Sequence, residues 1–244
     1  MKQFIFKVWF LIPPFIFGQK VLFVGNSFTF YWNLPVMVES MAEEKGIKMD
    51  IFQSTAGSAT LEDHWEGKRD LESVSNIKHG KYDFVILQDH STYPLENTQI
   101  SEEYFEKFIE LIKSTKAEPV IYSTWMYPGI SDQSYNILDP INYNLSSMAS
   151  LNGVRLAPVG RVFRFFKEAN PDISLHTSDD KHPSPVGTYL AACVFFKLLT
   201  GESPKGLSRR YVRKDENGKK IFLGMVETSD AIKCQNIVDS VDIK

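Results

Sequence analysis

Short apolar runs alternate along this chain with longer stretches in which apolar residues recur at helical spacing. The apolar runs predict five strands, at residues 20–24, 49–54, 82–88, 119–125 and 154–160. The helical stretches predict helices at about residues 34–45, 101–114, 143–151, 161–169 and 185–199. The first and third runs contain apolar residues without alternation, which is typical of strands buried on both faces of a sheet.

Strands that alternate with helices predict an α/β fold, in which a mostly parallel sheet carries helices on both faces. A chain of 244 residues with 43% hydrophobic residues is long enough for one domain with a sizeable core. Ligands of open parallel sheets bind beyond the carboxyl ends of the strands. The residues that directly follow each strand are therefore expected to carry the chemistry.

The two ends of the chain differ from this pattern. Residues 1–18 combine an early lysine with a short apolar run and a final glycine, which predicts a secretory signal peptide; the alternative is a buried first strand. Residues 19–244 then form a single domain, in which about 205–244 add a C-terminal hairpin and helix. No later segment is long and apolar enough to predict a membrane span.

The charge of the chain argues against one class of protein, and its two cysteines leave a disulfide open. The net charge of -3 provides no basic face for nucleic acid. Export would permit a disulfide between Cys193 and Cys234, but Cys193 lies in an apolar helical run where a buried free thiol is the commoner role. The sequence leaves both this pairing and the oligomeric state open.

Polar residues of catalytic type follow the predicted strands. Gly25, Asn26 and Ser27 come directly after the first strand, and Gly57 follows the second. Gln88, Asp89 and His90 follow the third strand. Trp125 and Tyr127 follow the fourth strand, and Asp179 and His182 precede the last helix.

A serine hydroxyl is a weak nucleophile at neutral pH and needs an adjacent base, for which histidine is the usual choice. His182 is the candidate base, and Asp179 lies three residues before it, where a tight turn would let the carboxylate hold the imidazole. Asp180 is a rival for that role. A developing oxyanion also needs fixed donors, which the backbone of Ser27 and Gly57 and the amide of Gln88 could supply.

These residues resemble the sequence blocks of the SGNH (GDSL-like) hydrolase superfamily. "VGNS" is similar to its first block, "TAGSAT" contains the glycine of its second, and "DDKHPS" is similar to its last. The resemblance extends from about residue 21 to 204. It implies a three-layer α/β/α sandwich of flavodoxin-like type, with strand order 2-1-3-4-5. It also implies ester hydrolysis through an acyl-enzyme, with Ser27, His182 and Asp179 as the triad and with no metal or other cofactor.

The third block departs from the superfamily pattern. The superfamily normally has Gly-x-Asn-Asp there, and the asparagine donates to the oxyanion. This chain has "LQDHS", in which Gln88 carries the same amide one methylene further out. In this respect the chain is similar to a subgroup of secreted bacterial proteins that has GNSFT, LQ-x-x-S and HPSP motifs. The resemblance therefore implies Ser27, Gly57 and Gln88 as the oxyanion hole.

Exported members of the superfamily often remove acetyl groups from polysaccharides, so the expected substrate is a short acyl ester of a carbohydrate. His90, Trp125, Tyr127 and His64 are candidate substrate contacts; for His64 the alternative is a surface position beside a core Trp65. One rival function is a lysophospholipase or thioesterase. The other is a carbohydrate-binding protein without activity, which the missing asparagine would favour.

Overall fold

The structure is a computed structural model that describes residues 18–131 and 139–243. The predicted signal peptide lies outside the described residues except for Gly18. The apolar runs form strands with these bounds: β1 (Gln19–Gly25), β2 (Met49–Thr55), β3 (Phe84–Leu87), β4 (Glu118–Tyr122) and β5 (Arg155–Ala157). Each predicted strand is therefore present, with ends shifted by a few residues.

The five strands form one parallel sheet in the order β2-β1-β3-β4-β5. Helices flank the sheet, so the α/β/α fold and the strand order predicted from the sequence are confirmed. In β1, Val21 to Val24 are at most 1% exposed, as expected for a strand covered on both faces. Gly25 at the end of β1 pairs with Thr55 at the end of β2, which aligns the loops that follow.

Helices connect the strands and follow the last one. The described residues contain α1 (Ser27–Phe30), α2 (Leu34–Glu44), α3 (Leu61–Glu66), α4 (Ser73–Gly80), α5 (Tyr93–Glu96), α6 (Thr98–Ser114), α7 (Pro128–Ser131), α8 (Pro140–Asn152), α9 (Val159–Ala169), α10 (Pro185–Thr200) and α11 (Thr228–Ser240). The predicted opening of α6 at Ser101 is wrong by three residues. The Ser101 hydroxyl is buried and donates to Asp89, so it is not free to cap the helix.

Helix α10 lies at the centre of the core. It is apolar on all sides, and most of its residues are buried, which is the character of a helix enclosed by other elements. Phe195 packs edge-on against Phe23 of β1 at 5.0 Å and against Tyr122 of β4 at 4.8 Å between ring centroids. Cys193 and Cys234 are both buried and free, so the disulfide that the sequence left open does not form in this structure.

The C-terminal segment packs onto the same core. Strands β6 (Arg210–Lys214) and β7 (Lys220–Met225) form an antiparallel hairpin, as the sequence predicted, and α11 packs against α10. The Lys197 ammonium of α10 donates to the carbonyls of Val238, Asp239 and Val241 at 2.8–3.1 Å, which satisfies acceptors at the end of α11. Among the described residues, no helix is long and apolar enough to cross a membrane.

Candidate active site

Three side chains form a hydrogen-bonded chain at the carboxyl end of the sheet. The Ser27 hydroxyl lies 2.8 Å from Nε2 of His182, and Nδ1 of His182 lies 2.5 Å from Oδ2 of Asp179. This geometry fits the tautomer in which Nδ1–H donates to the carboxylate and Nε2 accepts the serine proton. The arrangement can therefore activate Ser27 as a nucleophile.

A tight turn holds Asp179 in place. Its Oδ1 accepts from the backbone N–H groups of Lys181 and His182, at 3.0 and 2.9 Å, and from the Thr177 hydroxyl at 2.7 Å. The hydrogen bond from His182, together with these donors, holds the pKa of Asp179 well below its usual range. The rival Asp180 has a left-handed φ of 56°, and Asp179 is the carboxylate that bonds to the imidazole.

The turn that presents Ser27 depends on Gly25 and Asn26. A Cβ on Gly25 would lie 2.5 Å from the Thr29 hydroxyl and 2.6 Å from the Gln88 amide oxygen, so a glycine is needed for this close approach. Asn26 is the N-cap of α1 and accepts from the Phe28 N–H at 3.1 Å. These contacts end β1 abruptly and direct the next residue, Ser27, over the sheet.

Two backbone N–H groups are suitable oxyanion donors. Ser27 and Gly57 each lie two residues beyond the paired positions Gly25 and Thr55, so the register of β1 and β2 aligns them. Within the described part of the chain, neither N–H has a hydrogen-bond acceptor. The carbonyl of Gly57, which belongs to the following peptide, accepts from the Arg69 guanidinium and ties this loop to residue 69. Their oxyanion role remains a prediction.

Gln88 occupies a different environment from the one that an oxyanion donor needs. It is fully buried, and its amide oxygen accepts from the Asn26 N–H and the Thr29 hydroxyl, both at 2.9 Å. Its amide nitrogen donates to the carbonyl of Asp89. These contacts indicate that Gln88 braces the turn before Ser27. The oxyanion role that the resemblance implied for it is untested.

His64 contradicts both interpretations that the sequence offered. It is fully buried, its Nε2 lies 2.9 Å from the Gly25 carbonyl, and its Nδ1 lies 2.6 Å from the Ser73 hydroxyl. Burial lowers the pKa of His64 to about 4, so the neutral ring holds the turn from below. Trp65 is the more exposed of the pair and packs against Phe108. His64 is therefore a positioning residue and is inaccessible to substrate in this structure.

Trp125 is also a buried positioning residue, which contradicts its predicted contact with substrate. Its ring is 1% exposed and is stacked between Phe28 at 4.6 Å and Phe163 at 4.3 Å. Its indole N–H donates to the Lys181 carbonyl at 3.1 Å, next to His182. Both ring faces are covered, so the side chain is not available to substrate. Its role is to support the position of His182.

Tyr127 and His90 are the two remaining candidate substrate contacts. The Tyr127 hydroxyl is 3.4 Å from that of Ser91, and the Lys181 ammonium lies 5.4 Å from the Tyr127 ring centroid. His90 is half-buried, and burial and the charge of Lys181 lower its pKa. His90 and Tyr127 thus both lie near Lys181, beside the base, and their contact with substrate remains a prediction.

Sequence reasoning missed two aromatic residues beside the base. The Tyr31 ring stacks on the His182 imidazole, with 4.3 Å between centroids and 11° between planes. Trp32 is 40% exposed, and its indole N–H donates to the Pro183 carbonyl at 3.0 Å. The only signal in the sequence was the aromatic segment "FTFYW" after Ser27, which is equally typical of residues buried in a hydrophobic core.

A cavity of about 510 Å³ lies next to Trp125. Trp125, Phe163, Leu175 and His176 contribute to its lining, whereas Ser27 and His182 do not. It is therefore separate from the hydrogen-bonded chain.

A parallel sheet of this order, with helices on both faces, defines an SGNH-hydrolase-like fold, and comparison with solved structures agrees. A protein from Slackia heliotrinireducens that is provisionally assigned as an SGNH hydrolase is 25% identical, with a TM-score of 0.66 over 75% of this chain and 99% of that one. A DUF4886 family protein from Bacteroides uniformis is 18% identical, with a TM-score of 0.71 over 91% of this chain and 93% of that one.

The acetyl xylan esterase AlAXEase is also similar, at 16% identity and a TM-score of 0.59 over 73% of this chain and 98% of that one. At their low identities, the second and third likenesses show the fold alone. No protein-family model and no curated protein matches the chain. The provisional SGNH-hydrolase assignment of the Slackia protein, at 25% identity, supports the hydrolase class.

Proposed function

We propose that this protein is a serine esterase that works through an acyl-enzyme intermediate. The observation that carries the proposal is the continuous hydrogen-bonded chain from Ser27 through His182 to Asp179. A nucleophile, a base and an orienting carboxylate are the minimum that such chemistry requires. The esterases among the fold neighbours support the same reaction class.

In the first half-reaction, the Ser27 hydroxyl attacks the ester carbonyl and His182 takes its proton. The tetrahedral intermediate collapses when His182 returns that proton to the leaving alcohol, and the acyl group stays on Ser27. Water then attacks the acyl-enzyme with His182 again as the base, and the acid is released. Asp179 keeps the imidazole oriented and stabilises its charge in both halves.

The oxyanion of each tetrahedral intermediate lies, in this proposal, against the N–H groups of Ser27 and Gly57. Both are free to donate, and the strand register aligns them. Backbone donors of this kind are fixed before the reaction, so they stabilise the developing charge without reorganisation. Gln88 stabilises the same turn from behind.

The proposed substrate is a short acyl group, in particular acetyl, on a carbohydrate. Two considerations support this class: the sequence blocks resemble those of exported hydrolases, and one fold neighbour is described as an acetyl xylan esterase. We propose also that residues 1–18 direct export, to the periplasm or beyond. Amino-terminal sequencing of the protein recovered from its native host would test this, because an intact residue 1 would contradict cleavage.

The first experiment is hydrolysis of p-nitrophenyl acetate by the purified protein. Ser27→Ala and His182→Ala are each expected to lower kcat on the order of 10³-fold or more, because the nucleophile or its base is lost. His79→Ala, which removes an exposed imidazole of α4, is the matched control and should retain the parent rate. Equal rates in all four proteins would contradict the proposal.

The second experiment varies the ester. Acetyl, butyryl and octanoyl p-nitrophenyl esters are compared, and acetylated oligosaccharides are then assayed for acetate release. Rates that fall with chain length agree with the proposed substrate, whereas a preference for octanoate would favour a lysophospholipase or thioesterase. Saccharide binding that survives Ser27→Ala, with no turnover by the parent, would instead indicate a binding protein.

A further inference from the structure

An exposed aromatic ring lies beside the base of the triad. Tyr31 stacks on His182, and the next residue, Trp32, is tied by its indole N–H to the carbonyl of Pro183, the residue after the base. Trp32 is nevertheless 40% exposed, whereas most large aromatic rings around the site are buried. The Trp32 ring therefore presents a flat apolar surface to solvent beside His182. In the proposed reaction, His182 is the residue that protonates the leaving alcohol.

The backbone holds this ring in an unfavourable conformation. Trp32 has φ 48° and ψ 34°, and Asn33 has φ 58°, so two consecutive residues other than glycine adopt the left-handed region. Such conformations are rare for bulky residues and persist only where the surroundings impose them. The Asn33 amide donates to the Leu223 carbonyl of β7 at 3.1 Å, so the hairpin and the triad turn hold the segment from opposite sides.

Two aromatic residues that the sequence offered as substrate contacts present little ring surface for stacking. Both faces of Trp125 are covered by phenylalanine rings, and Tyr127 is 9% exposed. Trp32 is different, because its side chain is anchored through the indole N–H and 40% of the residue remains accessible. An aromatic ring that is apolar on its face and polar at one edge suits an interface with a partly polar ligand.

We propose that the Trp32 indole is the platform on which the sugar ring on the alcohol side of the ester stacks. The inference rests on the proposed esterase function and names the part of the substrate that this site recognises. The leaving oxygen must approach Nε2 of His182 to receive its proton, so the alcohol lies on the His182 side of the site, where Trp32 is located. The apolar C–H face of a sugar ring matches a flat indole.

The test keeps the acyl group constant and changes the alcohol. Ethyl acetate, hexyl acetate, penta-acetylglucose and acetylated xylo-oligosaccharides are hydrolysed by the parent, Trp32→Phe and Trp32→Leu, and kcat and KM are measured separately. Trp32→Leu is expected to lower kcat/KM for the two saccharide esters about tenfold more than for ethyl acetate, mainly through KM; tenfold corresponds to about 1.4 kcal/mol. Trp32→Phe keeps a flat ring and should retain most of this preference.

The variants separate stacking from anchoring. Trp32→Phe and Trp32→Leu both lose the hydrogen bond to Pro183, so a purely structural role would affect both variants and all four esters alike. Phe52→Leu is the matched control. Phe52, in the middle of the edge strand β2, is 43% exposed and packs against Tyr82, which precedes β3.

Three results would overturn the proposal. Equal losses on all esters would reduce Trp32 to an anchor of the turn. A loss on hexyl acetate as large as that on the saccharides would assign the ring to an alkyl chain. The third is a Trp32→Leu variant that keeps the preference of the parent for saccharide esters.

Failure of the proposed function is distinguishable from failure of this inference. If the parent hydrolyses none of these esters, binding of xylo-oligosaccharides to Ser27→Ala is measured by calorimetry, with and without Trp32→Leu. A Kd that Trp32→Leu weakens about tenfold would support the platform without the esterase. Absence of binding, or a Kd that Trp32→Leu leaves unchanged, would reject the platform.

Discussion

His64 links the stability of the fold to pH. The ring is 0% exposed, and burial lowers its pKa from 6.5 to about 4, with the Gly25 carbonyl and Asp63 acting weakly in the opposite direction. As pH falls, the unfolded chain therefore binds this proton before the folded protein does. The contribution of His64 to stability is present above about pH 7 and is lost as the pH falls from about 6.5 towards 4.

The size of the effect follows from the two pKa values. A difference of about 2.5 pH units corresponds to about 3 kcal/mol in total, at about 1.36 kcal/mol per unit. Between pH 7 and pH 4.5, most of this is expressed, about 2.5 kcal/mol of the free energy of unfolding. The Nε2–H donates to Gly25 in both protonation states, so acid should weaken the fold without first releasing the turn.

Urea unfolding followed by circular dichroism at pH 7 and pH 4.5 measures this directly. His64→Gln retains a donor for the Gly25 carbonyl but does not titrate, so its stability should fall about 2.5 kcal/mol less than that of the parent over the same interval. His79→Gln, at an exposed position of α4, should follow the parent. Equal pH dependence in the parent and His64→Gln would refute the reasoning.

Four further substitutions, one of them with a matched control, probe the same site. Asp179→Asn should lower kcat on p-nitrophenyl acetate on the order of 10³–10⁴-fold, while Asp180→Asn stays close to the parent, because only Asp179 bonds to the imidazole. Gln88→Met should lower the free energy of unfolding by about 2–4 kcal/mol in urea, since it leaves buried donors without an acceptor. A loss of kcat of about 10²–10³ at unchanged stability would instead assign Gln88 to the oxyanion hole. Trp125→Phe keeps the ring stack but loses one hydrogen bond and should cost about 1–2 kcal/mol by the same assay, so an unchanged midpoint would contradict its supporting role. Gly25→Ala should cost about 1–3 kcal/mol and lower kcat, because its Cβ has no room; full activity and stability would show that the turn can relax.

The strands and long helices could be predicted because each carries its own signal. Continuous apolar runs marked β1 and β3, and helical spacing marked α6 and α9. The triad could be predicted because its residues follow strands or precede a helix, and the sheet brings those points to one edge. Both kinds of inference need only local sequence and the topology of a parallel sheet.

The hydrogen-bond partners that a residue finds in distant parts of the sequence could not be predicted. His64 and Trp65 are neighbours, and helical spacing alone does not decide which one turns inward. The decision depends on Ser73 and on the Gly25 carbonyl, which only the fold brings to His64. Trp32 was missed for a related reason: its left-handed backbone depends on the Pro183 carbonyl and on the hairpin.

The hydrogen bonds from Lys197 to three carbonyls at the end of α11 have a practical consequence for anyone who shortens or extends this chain. They belong to residues 238–241, so a truncation that removes this end would remove the protein acceptors of the partly buried Lys197 ammonium and uncover that side of α10. A minimal domain cut to the length of the shorter fold neighbours would therefore lose core stability along with its tail. An affinity tag placed beyond this segment needs a spacer, so that residues 238–241 can still reach Lys197.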